Sequence, residues 1–156
     1  MLKVLVSALA IFGSYATTLH KSEVRTAGWT ISVRRDSFVG STTCEAHRGP
    51  VQVKNALVVF SLGRNVDTSL AEYRIDAGQP HSVTDVAFRL RVMGAPKLIE
   101  PLDNPSRGLV IVPAADLTSA QTVWIRATPK VAPRRFVVSG LSAVAEREAA
   151  LSCKAA

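Results

Sequence analysis

With 156 residues, 47% hydrophobic and 20% charged, the chain can bury one core of ordinary size and is too apolar for broad disorder. Aromatic residues are only 6%, so the core must be built from Val, Ile, Leu and Ala. The formal charge of +7 favours anionic partners over basic ones.

Met1-Leu2-Lys3 is a short basic start, residues 4–12 are apolar, and Ser14 and Ala16 are small residues suited to a cut after Ala16. That is the pattern of a secretory signal peptide over residues 1–16. Its apolar run is shorter than the roughly 20 residues that cross a bilayer. The expected product is therefore periplasmic or secreted and does not span the membrane after cleavage. Residues 17–27, with the run His20-Lys21-Ser22-Glu23, are expected to be a flexible mature N-terminus, and residues 28–156 a single globular β-rich domain.

Trp29, Ile31 and Val33 alternate with Thr30, Ser32 and Arg34, which predicts a strand with one buried face; Arg35-Asp36-Ser37 then turns the chain. Residues 38–46 are expected to return as the next strand, carrying Cys44 inward, before a turn at Arg48-Gly49-Pro50. Residues 51–54 open a long strand, with a bulge near Asn55 where the alternation changes phase. The nearly continuous apolar run 57–62 reads as a strand covered on both faces, and residues 70–76 alternate Ala71, Tyr73 and Ile75 against Glu72, Arg74 and Asp76. The two are expected to pair as a central hairpin through the loop 63–69, and Gly78-Gln79-Pro80 to stop the second strand.

After the hairpin the period changes. Ser82 and Asp85 fit a helix start, and Val83, Val86, Ala87, Leu90 and Met93 share one helical face before Gly94 and Pro96 end it. Residues 97–102 and 109–112 are short extended runs around a turn-rich connection. One helical turn is expected over 113–117, strands over 122–127 and 135–138, and a closing helix over 140–152 with Leu141, Val144, Ala145 and Leu151 on its apolar stripe and Glu148 near its edge. The fold class is α+β: a mostly antiparallel, sandwich-like β assembly of about seven to nine short strands with two helices, one after the central hairpin and one at the C-terminus.

Export changes the reading of the two cysteines. An even count in an oxidising compartment favours a Cys44–Cys153 disulfide that ties the C-terminus to the core. No cofactor motif is present, and two distant Cys with three scattered His show no metal-ligand spacing.

Two constellations remain as candidate binding sites. Lys130, Arg134 and Arg135 surround a pair of prolines, with Lys97 and Arg107 as further candidates for the same cluster, and would either make a salt-sensitive contact to phosphate or carboxylate groups or form a solvated loop that protects an edge strand. Asp67, Arg74 and Asp76, with Thr68 and Glu72, would form either a polar recognition face or a structural ion-pair ladder. The functional expectation is a non-enzymatic envelope or secreted interaction protein for an anionic envelope component or host surface, with intracellular nucleic acid excluded by export. The alternative is a small hydrolase whose site gathers Asp67, Asp76 and one of His20, His47 and His81.

The segments Gly28-Trp29-Thr30-Ile31-Ser32-Val33, Leu57-Val58-Val59-Phe60 and Phe136 through Ala145, behind a signal peptide, resemble the invasion-associated locus B family of small exported bacterial proteins. The resemblance implies a β-rich envelope protein without known catalysis, implicated in host-cell interaction. This chain lacks an early pair of Cys after Trp29 and places one Cys late, so no site residue is carried over.

Overall fold

The computed structural model describes residues 19–92 and 107–154, with backbone alone for 89–92. The elements run β1 (Leu19–Thr26), β2 (Trp29–Asp36), β3 (Ser41–Arg48), β4 (Val51–Lys54), β5 (Leu57–Ser61), β6 (Glu72–Ile75), β7 (Pro80–Ser82), α1 (Val83–Val92), β8 (Leu109–Pro113), a 3-10 turn (Ala114–Leu117), β9 (Thr122–Arg126), β10 (Arg134–Val137) and α2 (Leu141–Ala150). A six-stranded sheet has the order β1-β2-β3-β4-β5-β8 and a four-stranded sheet the order β10-β9-β6-β7. All of these strand pairs are antiparallel. The expected α+β class holds, with one helix mid-chain and one near the C-terminus.

The sheets share one core. Ile31, Val33, Ala46, Val53, Val58 and Phe60 of the larger sheet are buried in the same cluster as Tyr73, Val123, Ile125 and Phe136 of the smaller one. Phe60 meets Phe136 edge to face at 5.3 Å between centroids, an arrangement aromatic pairs favour. Leu141 and Val144 of α2 are buried as the helical spacing predicts, and α2 lies against β1 and β2.

The central hairpin does not form. β5 pairs with β4 and β8 in the larger sheet, while β6 pairs with β7 and β9 in the smaller one. Residues 63–71 instead carry the chain from one sheet to the other. The crossing is fixed by Leu62 N donating to Gly108 O at 2.8 Å and by Thr68 Oγ1 donating to Leu109 O at 3.2 Å. At Gly108 a Cβ would stand 2.0 Å from the carbonyl oxygen of Gly63, so a side chain there would force the two backbones apart. A run covered on both faces and bonded along both edges belongs in a sheet interior, and local alternation carries no information about which strand supplies each edge.

Two shorter corrections share a cause. The expected bulge near Asn55 is a two-residue turn, with Asn55 at φ 51° and Ala56 at φ 61°, so residues 51–61 form two strands. The segment expected to be a flexible N-terminus is β1 over Leu19–Thr26, joined to β2 by Ala27 at φ 48° and Gly28 at φ 82°. Both turns have the two left-handed residues that match strand twist. An Ala in such a turn gives no sequence cue, because a left-handed Ala is disfavoured by about 1–2 kcal/mol. β1 is also an edge strand with Val24 as its main apolar contact to the core, so backbone pairing rather than burial defines it.

The strand expected from residue 38 starts at Ser41, because the Asp36 carboxylate accepts the amides of Phe38 and Val39 at 2.9 and 3.2 Å and holds them in the turn. β6 ends at Ile75, ahead of Gly78-Gln79-Pro80, and Pro80 begins β7 at the sheet edge, where a strand proline is tolerated. Ser82 Oγ accepts Thr84 N at 3.3 Å at the start of α1. Residues 1–16, the end of the first helix at Gly94 and Pro96, and the run 97–102 lie outside the described residues. Among those described, no helix is long and apolar enough to cross a membrane.

The cysteines meet as expected. Cys44 and Cys153 form a disulfide with Cα atoms 5.5 Å apart and 109 residues of separation. Cys153 is led there by α2, and Lys154 N donates to Thr42 O at 2.8 Å beside β3. In the chain-entropy account, closing so long a loop stabilises by about 4–5 kcal/mol.

Candidate functional site

The outer face of the small sheet assembles side chains that the linear sequence keeps apart. In register, Pro80 of β7 lies opposite Arg74 of β6, Arg74 opposite Trp124 of β9, and Trp124 opposite Arg135 of β10. The alternation that buries Tyr73, Val123, Ile125 and Phe136 necessarily turns these residues to the other side. Trp124 is half-buried and both arginines are exposed. The Arg74 guanidinium lies over the indole at 5.9 Å from the ring centroid, within cation–π range. Glu72, Tyr73, Arg74, Pro80, Trp124, Arg126 and Pro133 line a shallow cleft of about 170 Å³ here.

The charges on this face are already sorted. Arg126 Nε donates to Glu72 Oε2 at 2.6 Å, and the same two groups form an ion pair. Arg74 and Arg135, by contrast, make no ion pair with a carboxylate among the described residues. A planar aromatic flanked by two guanidiniums, with Pro80 and Pro133 at the margins, can stack a ring while pairing its anionic substituents on either side.

The acidic constellation disperses. Asp76, at φ 47°, accepts Thr122 N at 2.8 Å, Thr122 Oγ1 at 2.9 Å and Gln121 N at 3.2 Å. Those bonds, the Thr122 amide first, hold its carboxyl below the usual carboxylate range. Asp67 Oδ1 accepts Ser69 N at 2.8 Å, and the Ser69 amide and hydroxyl hold its carboxyl low as well. Thr68 is buried against Leu109. Asp67 and Asp76 thus close turns, Glu72 pairs with Arg126, and only Arg74 belongs to the face described above. The expected ladder of Arg74 between two carboxylates does not form because β9, which the sheet brings alongside β6, supplies Glu72 with its partner Arg126.

The basic constellation divides in the same way. Arg134 and Arg135 are consecutive on β10, so they point to opposite sides of the sheet. Arg134 Nη1 donates to Leu62 O at 2.6 Å and its guanidinium lies 5.5 Å from the Phe136 centroid; it ties the two sheets together. Arg135 joins Trp124. Lys130 sits in the β9–β10 connection, where Val131 N donates to Thr128 O at 3.1 Å. Arg107 is exposed beside β8, and Lys97 lies outside the described residues.

The three histidines are separate. His20 is exposed on β1 opposite Arg35, and His47 is half-buried on β3 opposite Thr30 and Gln52. His81 stacks on Tyr73 at 5.3 Å between centroids, and its cleft is otherwise lined by Ile75, Ser82, Asp85, Val86 and Asp116. Neither Asp67 nor Asp76 lines that cleft.

A larger cleft of about 360 Å³ lies between α2 and the six-stranded sheet, lined by residues that include the disulfide, Val53, Lys54, Thr118 and Glu148. Burial there pushes the Glu148 carboxyl up. Its proximity to the apolar stripe is what the helical spacing predicts.

In the strand expected over 122–127, alternation puts Trp124 and Arg126 on the face opposite Val123 and Ile125, and neither belongs to the two constellations that the sequence offers. The available signal was Trp at a position whose neighbours two residues away are Thr122 and Arg126, since an aromatic in a polar row is one the core does not need. No protein-family model, no curated protein and no solved structure matches this chain.

Proposed function

We propose that the protein is an exported, non-enzymatic interaction protein of the bacterial envelope or its surroundings that binds a polyanion, and that the Arg74–Trp124–Arg135 row is its recognition face. The row itself carries the reading: a half-exposed indole between two exposed guanidiniums that have no carboxylate partner among the described residues. The formal charge of +7 adds long-range attraction, and the disulfide suits an oxidising compartment. The signal pattern of residues 1–16 and the resemblance to the invasion-associated locus B family belong to the same reading. The hydrolase alternative has less support, because the carboxylates of Asp67 and Asp76 are engaged with backbone amides.

A suitable probe is immobilised dextran sulfate, with neutral dextran as control. Retention of the wild-type protein on the sulfated matrix should fall steeply with salt. R74S/R135S should elute at clearly lower salt, W124A should weaken retention at every salt concentration, and R134S should weaken it less than R135S. Equal elution of R74S/R135S and wild type would dismiss the face as the binding site.

A further inference from the structure

The ribbon of β1, β2 and β3 ends in the turn 37–40, where Phe38 is 83% exposed and Val39 64% exposed. Leu19, 72% exposed, joins them because it lies opposite Asp36 in the register. The Asp36 carboxylate accepts the amides of both Phe38 and Val39. The turn is therefore closed on itself, and its two apolar side chains are presented outward on a defined backbone.

Cations surround this apolar cap. Lys21 lies directly opposite Arg34, and His20 opposite Arg35. The next strand adds Thr43 and Thr42 to those rows, and the amide of Lys154 bonds Thr42 O. Successive strand residues face opposite ways, so Arg34 with Lys21 occupies one side of the ribbon and Arg35 the other. Like charges directly opposite one another destabilise a sheet. The acids on the Lys21–Arg34 side, Glu23 and Glu45, lie in the next row on that side, away from the tip, and Asp36 is occupied within the turn. The fold gains nothing from a solvent-facing Phe-Val pair or from the Lys21–Arg34 opposition. Both are suited to an anionic lipid–water interface, with an apolar layer for the tip and a phosphate layer one row behind it. A second copy of this chain is a poor occupant, since two tips would bring their cations together.

We propose that the 37–40 turn is a membrane-docking tip: Phe38 and Val39, flanked by Leu19, enter the interfacial layer of an anionic phospholipid bilayer while Lys21, Arg34 and Arg35 contact its phosphates. The tip belongs to the six-stranded sheet and shares no residue with the Trp124 row of the four-stranded one, so the two surfaces can be tested separately.

The test is vesicle co-sedimentation of the exported protein, with its N-terminus established by intact mass, on phosphatidylcholine vesicles with and without phosphatidylglycerol. Wild type should partition about tenfold more strongly onto the anionic vesicles, as cation attraction adds to apolar insertion. F38S/V39S should lose about tenfold of that binding, and R34S/R35S should lose the preference for phosphatidylglycerol. Both variants alter exposed positions, and unchanged thermal melting would show that each is folded. In F38W, tryptophan emission should shift to the blue on anionic vesicles. Equal binding by F38S/V39S and wild type, or no enrichment on anionic vesicles, would overturn the proposal, as would a wild-type dimer that F38S/V39S dissociates. F38S/V39S should keep its retention on dextran sulfate and R74S/R135S its vesicle binding, so failure of either surface is distinguishable from failure of the other.

Discussion

Two tryptophans sit beside arginines in this molecule, with opposite outcomes. Trp29 is fully buried, and its Nε1 donates to Ser139 O at 2.9 Å. Arg48 Nη1 donates to the same carbonyl at 3.2 Å, so one backbone oxygen between β10 and α2 receives both side chains. Trp124 is half-buried on the outer face of the small sheet and carries Arg74 over its ring. In the first pair the polar atoms are bound to the fold, while in the second the guanidinium remains available. Residue type is the same in both pairs; the difference lies in whether a backbone carbonyl stands within reach of the donors.

That contrast is most sharply tested by paired substitutions. W29A should cost about 4 kcal/mol through loss of a fully buried aromatic, while Ser139 O keeps its Arg48 donor. W124A should cost less than about 1 kcal/mol, because it empties a solvent-facing site. Chemical denaturation of the two variants measures both, and equal costs would mean that Trp124 is a core residue after all.

The disulfide comes next. Reducing it, or making C44A/C153A, should destabilise by about 3 kcal/mol, allowing for real bridges giving less than the chain-entropy figure. Loss of amide protection should be greatest in α2 and at residues 41–44, which the bridge joins, while the Arg74–Trp124–Arg135 row should stay protected. Uniform loss over both sheets would show that the bridge serves the whole core.

The smallest effect concerns pH. Burial raises the folded pKa of Glu148, so the folded state holds that proton more tightly than the unfolded chain. Its contribution is most favourable below the unfolded pKa and declines as pH rises through the folded value. Asp76 has the opposite sign: its lowered pKa brings stability that is present above the unfolded pKa and lost as pH falls through the folded one. E148Q should therefore melt higher than wild type at neutral pH and match it in acid, and D76A should flatten the acid limb. Identical pH profiles for E148Q and wild type would place Glu148 in water.

Most elements were legible because burial writes a period into the chain. Trp29-Ile31-Val33, Val123-Ile125 and the Leu141-Val144 spacing each identify a strand or helix and its inner face, and the structure has them there. Turns were harder where Ala27 and Ala56 take left-handed conformations that their residue type does not advertise. The candidate site was half legible. Arg74 and Arg135 stand out in the sequence, but each falls among sequence neighbours, Asp67 and Asp76 in one case and Lys130 and Arg134 in the other. A strand sends neighbours to opposite faces and draws its true partners from other strands.

The sequence by itself determined the class of fold, the buried faces of most strands, the closing helix and, from an even cysteine count, the Cys44–Cys153 pairing. Only the tertiary structure decided that β5 and β6 part into different sheets, that Arg134 bonds Leu62 while Arg135 meets Trp124, and that Phe38 stands at a tip rather than within a strand. The physical reason is range. Propensity and alternation act over a few residues, whereas strand order and the fate of each charge depend on backbone bonds between segments dozens of residues apart.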